Sequence, residues 1–209
     1  MLAWTHAACL DHDPGTEHPE RPARLRAVLD ALDRAYPDLD WREAPMARRG
    51  DLLRVHGDTL IDEVLAPVAS GLQRLDPDTA LSPGSARAAL HAAGAGLAAV
   101  DAVMAGEAQT AFCAVRPPGH HATPDTAMGF CLFNNIAVAA AHARDHHGLE
   151  RIAIVDFDVH HGNGTQAIFQ AEPRVAYLSS HQSGLYPHSG SVHERGAGNL
   201  HNALLPPGS

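Results

Sequence analysis

The chain has 209 residues with 15 Lys and Arg against 24 Asp and Glu, a formal net charge of −9. That balance argues against nucleic acid or an anionic membrane as the main partner and leaves cationic ligands compatible. Hydrophobic content of 45% and charged content of 19% suit a globular protein with one core, and no run of about 18 apolar residues or leader-like N-terminus occurs.

Cys9, Cys113 and Cys131 are odd in number and widely spaced, so free thiols in a reducing, cytoplasmic setting are expected. In chain order, Leu2 to His6 reads as a strand, followed by a turn-rich loop from His12 to Arg21. Pro22 suits the first turn of a helix with Leu25, Val28, Leu29 and Leu32 at helical spacing. A second helical stretch is expected over Thr59 to Ala69. Ser82 and Pro83 look like the N-cap and first residue of a long alanine-rich helix ending near Gly106, whose Ala92, Ala93, Ala95 and Gly96 would permit close packing.

Thr110 to Val115 forms a short apolar strand that runs into Arg116-Pro-Pro-Gly-His-His121, where the prolines end the ladder. Asn134 to His146 is predicted helical, with Ile136, Ala137, Ala140 and Ala141 facing inward and Gly148 as the stop. The doublet His146-His147 there complements the helix C-terminus and needs no other function. Arg151 to Val155 reads as a buried parallel strand, a short helix follows around Thr165 to Phe169, and Val175 to Ser179 is a further strand. Near the end, Asn199 to Ser209 opens another apolar strand-like run. Strands alternating with helices give an α/β architecture with a parallel sheet, whose ligands gather beyond the strands' carboxyl ends.

The chemistry concentrates at Val155-Asp-Phe-Asp-Val-His-His-Gly-Asn-Gly164. Among 16 histidines, the doublets His120-His121 and His160-His161 stand apart because each follows a strand. Extended backbone would put Asp156, Asp158 and His160 on one side and Phe157, Val159 and His161 on the other. Two acids and an imidazole sharing one face cost several kcal/mol in a dry interior unless a cation joins them. Asp158 and His160 are the expected ligands, an O/N pair suited to zinc or ferrous iron. Asp156 is expected to orient His120 or His121, paired imidazoles of the kind that take a proton from water and give one to an amine. The alternative is that the acids only cap the following helix.

Arg116-Pro-Pro-Gly-His-His-Ala122, Gly129-Phe-Cys-Leu-Phe-Asn-Asn135 and Val155 to Gly164 together resemble the histone deacetylase family, including bacterial relatives acting on acetylated amines. His18-Pro-Glu-Arg-Pro22 and Leu178-Ser-Ser-His181 are similar to its flanking motifs. The resemblance implies the arginase/deacetylase fold, a parallel sheet between helices, around a single zinc ion. Asp158 and His160 then match two zinc ligands, His121 the general base and acid, His120 its electrostatic partner, and Asp156 the carboxylate behind His120. Asn163 stands where the family often has Asp behind His121, which should leave His121 less basic. Gly129, Phe130 and Tyr186 match the acyl-lysine tunnel, and Asp156, Asp158, His160 and Ser179 match positions around a structural potassium ion.

The same resemblance places a third zinc ligand, an Asp in a Gly-Phe-Asp-type motif, and a transition-state tyrosine in a Gly-Gly-Tyr-type motif beyond Ser209. Residues 1–209 are therefore expected to be the N-terminal part of one catalytic domain, weakly active alone, from a longer enzyme that deacetylates an acetyl-lysine side chain, a polyamine or a small acylated amine. The rivals are a non-catalytic binding module or degenerate fragment of the same fold, and an arginase-like ureohydrolase, for which Asp-Val-His-His-Gly-Asn lacks the Asp pattern of a second metal.

Overall fold

A computed structural model describes residues 1–209. Its elements, in order, are β1 (Leu2–Thr5), a 3₁₀ turn (Ala7–Leu10), α1 (Pro22–Ala35), β2 (Asp40–Glu43), α2 (Arg49–Leu52), α3 (Asp58–Leu65) and the short strands β3 (Gln73–Arg74) and β4 (Ala80–Leu81). Then follow α4 (Ser85–Met104), β5 (Ala111–Cys113), α5 (Asn135–Asp145), β6 (Ile152–Asp156), α6 (Asn163–Phe169), β7 (Val175–Gln182) and β8 (Leu200–Leu205). The expected parallel α/β arrangement holds, as two three-stranded sheets ordered β2-β1-β5 and β6-β7-β8, every pair parallel. Among the named strands only the β3–β4 pair is antiparallel.

The main core gathers Leu52, Leu60, Ile61, Phe133, Val138, Ile154, Phe169 and Tyr177, so α3, α5, α6 and the second sheet share one apolar interior. Leu2 and Trp4 of β1 pack on Ala95, Ala99 and Ala102 of α4 in a smaller cluster. The small residues of α4 do bring helices close: a Cβ on Gly96 would sit 3.0 Å from the Ala139 Cβ of α5. Across β6 and β7 the register sets Asp156, at the carboxyl end of β6, beside Ser179 in the middle of β7.

Several expectations need correction. The Arg151–Val155 strand is not buried on both faces: Ile154 enters the core, but Val155 is 66% and Phe157 86% exposed. Strand β6 borders only β7, and an unbroken apolar run cannot reveal which face lacks a covering layer. Ile136 is exposed, whereas Ala137, Ala140 and Ala141 are buried. The helix after Ser82-Pro83 starts at Ser85 with Gly84 as N-cap, because Ser82 uses its amide to donate to Ser85 Oγ at 2.7 Å. A Cβ on Gly84 would lie 2.5 Å from Asp11, which explains the glycine at that turn. Helix α3 is shorter than expected, ending at Leu65 before Pro67, and only Leu25 of the α1 stripe is buried. No helix is long and apolar enough to cross a membrane.

Candidate active site

The loop after β5 and the loop after β6 meet where both parallel sheets end. Arg116 fixes the first loop. Its guanidinium donates to both carboxylate oxygens of Glu20, at 2.5 and 2.6 Å, and to the carbonyls of Cys9 and His12. Glu20 is fully buried; burial alone would raise its carboxyl, but hydrogen bonds from His12 and Arg116 and their charges pull it down to about 2. The anchored loop then presents two neighbouring imidazoles, His120 and His121, with ring centroids 4.0 Å apart.

Each ring has its own partner on the second loop. His120 Nδ1 donates to Asp156 Oδ2 at 2.9 Å, and His121 Nδ1 donates to Asn163 Oδ1 at 2.8 Å. Asp156 also accepts from the Tyr177 hydroxyl at 3.0 Å and from the Asp158 amide at 3.2 Å. Burial would raise the Asp156 carboxyl, yet His120, the Asp158 amide and Tyr177 hold it below the usual range. His121 is pushed down to about 4, first by burial and then by the charge of His120, against the opposing pull of the Asn163 hydrogen bond. Its ring is therefore neutral near pH 7.

Beta-strand geometry ends at Asp156, but the alternation continues in effect. Asp158 and His160 turn together, His160 Nδ1 lying 3.2 Å from Asp158 Oδ1, while Phe157 and Val159 face outward. This pair is open, with side chains 50% and 40% exposed. The rings of His121 and His160 are 6.0 Å apart, and Tyr186 stands edge-on to both, at 5.1 and 6.5 Å. His161, by contrast, turns away into the interior, where it meets His181, Gln166 and Ser189. Ser179 is bonded to His181 Nδ1 at 2.9 Å.

Gly129 backs directly onto His121: a Cβ there would lie 2.4 Å from His121 Cδ2. Both Gly129 and Phe130 have left-handed backbone, φ 56° and 69°, a conformation that costs a non-glycine residue of order 1 kcal/mol or more. The Phe130 amide is held by Thr79 Oγ1 at 3.0 Å, and its ring packs edge-on against His18 at 4.7 Å. The structure thus brings together His120, His121, Asp156, Asn163, Asp158, His160, Gly129 and Tyr186, while Phe130 joins through its backbone neighbour rather than by ring contact.

The sequence reading missed Tyr177, Gly162, Thr79 and the Glu20–Arg116 pair. Gly162 had a signal in the His-His-Gly run: a Cβ on it would fall 2.3 Å from Asp156 Oδ2 and 3.0 Å from His120 Nδ1. An oxygen and an imidazole nitrogen 3.2 Å apart match one edge of a tetrahedron of ligands about 2.0–2.1 Å from a single divalent ion. The donor set at Asp158 and His160 therefore fits such an ion.

The histone deacetylase domain model matches residues 18–208. This chain belongs to the histone deacetylase family. It is 46% identical over 198 residues to a histone deacetylase-like amidohydrolase of Pseudomonas aeruginosa, covering 92% of this chain and 52% of that protein. It is 43% identical over 177 residues to the human polyamine deacetylase HDAC10, covering 78% of this chain and 26% of that protein. Among solved structures, the HD domain of HDA15 superposes with a TM-score of 0.93 at 36% identity, over 97% of this chain and 61% of that one. The fold is accordingly that of the arginase/deacetylase group. The chain spans about half the length of the Pseudomonas relative.

Proposed function

We propose that the whole protein is a zinc-dependent deacetylase that cleaves the acetyl amide of an acetyl-lysine side chain, an acetylated polyamine or a small acylated amine, and that residues 1–209 form the N-terminal part of its single catalytic domain. The observation that carries this reading is the pair of adjacent imidazoles, each held at Nδ1 by a different side chain, beside the exposed Asp158–His160 pair. Asp158 and His160 would hold zinc, or ferrous iron, which supplies polarisation of the amide carbonyl and acidification of a water molecule.

The remaining work falls to the chain's own groups. Donation of the Nδ1 proton to Asn163 leaves His121 Nε2 as the free base, and a ring kept neutral by burial is ready to accept a proton from water. The same Nε2 then delivers that proton to the departing amine. His120, paired with ionised Asp156, stabilises the charge that passes through His121. Tyr186, edge-on to His121, and Phe130, placed by Gly129, wall the entry for an acyl-amine chain.

A structural potassium ion near Asp156, Asp158, His160 and Ser179 belongs to the same reading, supported by the β6–β7 register that sets Asp156 beside Ser179. A cytoplasmic setting fits three free cysteines.

Acetate release from an acetyl-lysine peptide and from an acetylated polyamine, measured with the whole zinc-loaded protein and its His121→Ala variant, tests the proposal. Turnover of at least one substrate that falls by 10²-fold or more in the variant is expected for loss of a general base. Absence of turnover on every acetylated amine, or full activity of the variant, would overturn it.

A further inference from the structure

A second constellation of metal-ligating side chains lies at the other end of the second sheet. Helix α5 begins beside the active-site loops, where Asn134 donates to the Ala122 carbonyl, and its 11 residues carry the chain about 16 Å before β6 starts. At its far end His142 and His146 stand one turn apart on one face, rings stacked 4.8 Å apart at 10°. His147 stands perpendicular to both, its centroid 5.3 Å from His142 and 4.8 Å from His146.

Close packing of α4 on α5 supplies the fourth group. Gly96 meets Ala139, and Asp101, five residues on, meets His142, three residues on. Asp101 Oδ1 accepts from His142 Nε2 at 2.6 Å and from His147 Nε2 at 2.7 Å. One ligating atom from each of Asp101, His142, His146 and His147 can be chosen so that all lie within 4.8 Å of one another. As a hydrogen-bond cluster complementing the end of α5, the arrangement would need only one histidine and no convergence of three rings.

We infer that Asp101, His142, His146 and His147 form a second, structural site for a divalent transition ion of the zinc class, clamping the end of α4 to the end of α5. Three imidazole nitrogens and one carboxylate oxygen supply four protein ligands, the full number that a structural rather than a catalytic ion takes. Two histidines four residues apart at a helix end offer a ready chelate, because those positions share one face. Binding requires His142 and His147 to move their ring proton from Nε2 to Nδ1. For His142 this breaks a long contact with Arg54, 3.4 Å from Nδ1; Arg54 retains its 2.8 Å pair with Asp51. On binding, Asp101 exchanges two N–H donors for one cation.

The test separates this site from the active site by working in an Asp158→Ala/His160→Ala background. Zinc alone is the probe, with stoichiometry read by elemental analysis after dialysis and the unfolding midpoint read with and without zinc. The background variant should retain one zinc per chain, and at free zinc about a hundredfold above the dissociation constant its midpoint should rise by about 5–10 °C. Adding His146→Ala and His147→Ala, at an exposed and a half-buried position, should abolish the bound zinc and the shift. A background variant without zinc, or zinc and shift that survive the histidine substitutions, would overturn the inference.

Discussion

Asn163 Oδ1 accepts the Nδ1 proton of His121 at 2.8 Å, so the ring is oriented by a neutral amide while its neighbour His120 is held by a carboxylate. The two imidazoles are thereby electrostatically unequal. An amide partner fixes the tautomer but does not stabilise a cationic ring as an anion would.

Asn163→Asp should therefore make His121 more basic. The acid limb of the kcat/KM profile, which marks protonation of the base, should move to higher pH by about 1 unit. A pH–rate series on the whole protein checks this; an unmoved limb would mean that His121 is not the titrating base.

Gly162→Ala would press a methyl group against Asp156 and His120, where a Cβ has only 2.3 and 3.0 Å of room. Activity should drop about 10- to 100-fold, as when the support of a catalytic or metal-binding group is displaced. Tyr177→Phe removes one donor to Asp156 and should cost about 1 kcal/mol of stability, with a smaller loss of rate. Steady-state kinetics and denaturant unfolding on the two variants distinguish these outcomes.

The buried Glu20–Arg116 pair makes an acid-stability prediction. The Glu20 carboxyl is depressed from 4.5 to about 2 in the folded protein, so its contribution is present above pH 4.5 and lost as pH falls towards 2. The integrated contribution is about 3 kcal/mol, and unfolding midpoints between pH 5 and pH 2 should reveal it. Arg116→Ala should destabilise by about 3–5 kcal/mol, since it strands a buried carboxylate, and the Glu20→Gln/Arg116→Met double variant should recover part of that loss.

Local patterns made most of the candidate site legible. The i, i+2 spacing of Asp156, Asp158 and His160 anticipates that Asp158 and His160 turn together, although the strand itself ends at Asp156, and strand-then-doublet signals pointed to His120 and His121. The deacetylase resemblance then assigned Asn163 and Tyr186. What stayed hidden depends on tertiary packing. Glu20 and Arg116 are 96 residues apart, Tyr177 reaches Asp156 from the next strand, and Asp101 meets His142 only because two helices touch at Gly96 and Ala139. The exposure of Val155 and Phe157 was equally unreadable, because β-branched residues suit a strand whether one face or both are covered. The doublet His146-His147 reads in sequence as a helix-end complement, and the contact of His147 with Asp101 depends on α4 lying against α5.

Anomalous diffraction at the zinc edge from crystals of the whole protein tests the central claim most directly. The account predicts a zinc peak about 2.0–2.2 Å from both the Asp158 carboxylate and the His160 imidazole, with His121 facing it. Catalytically active, zinc-loaded crystals with no peak at that pair would contradict it.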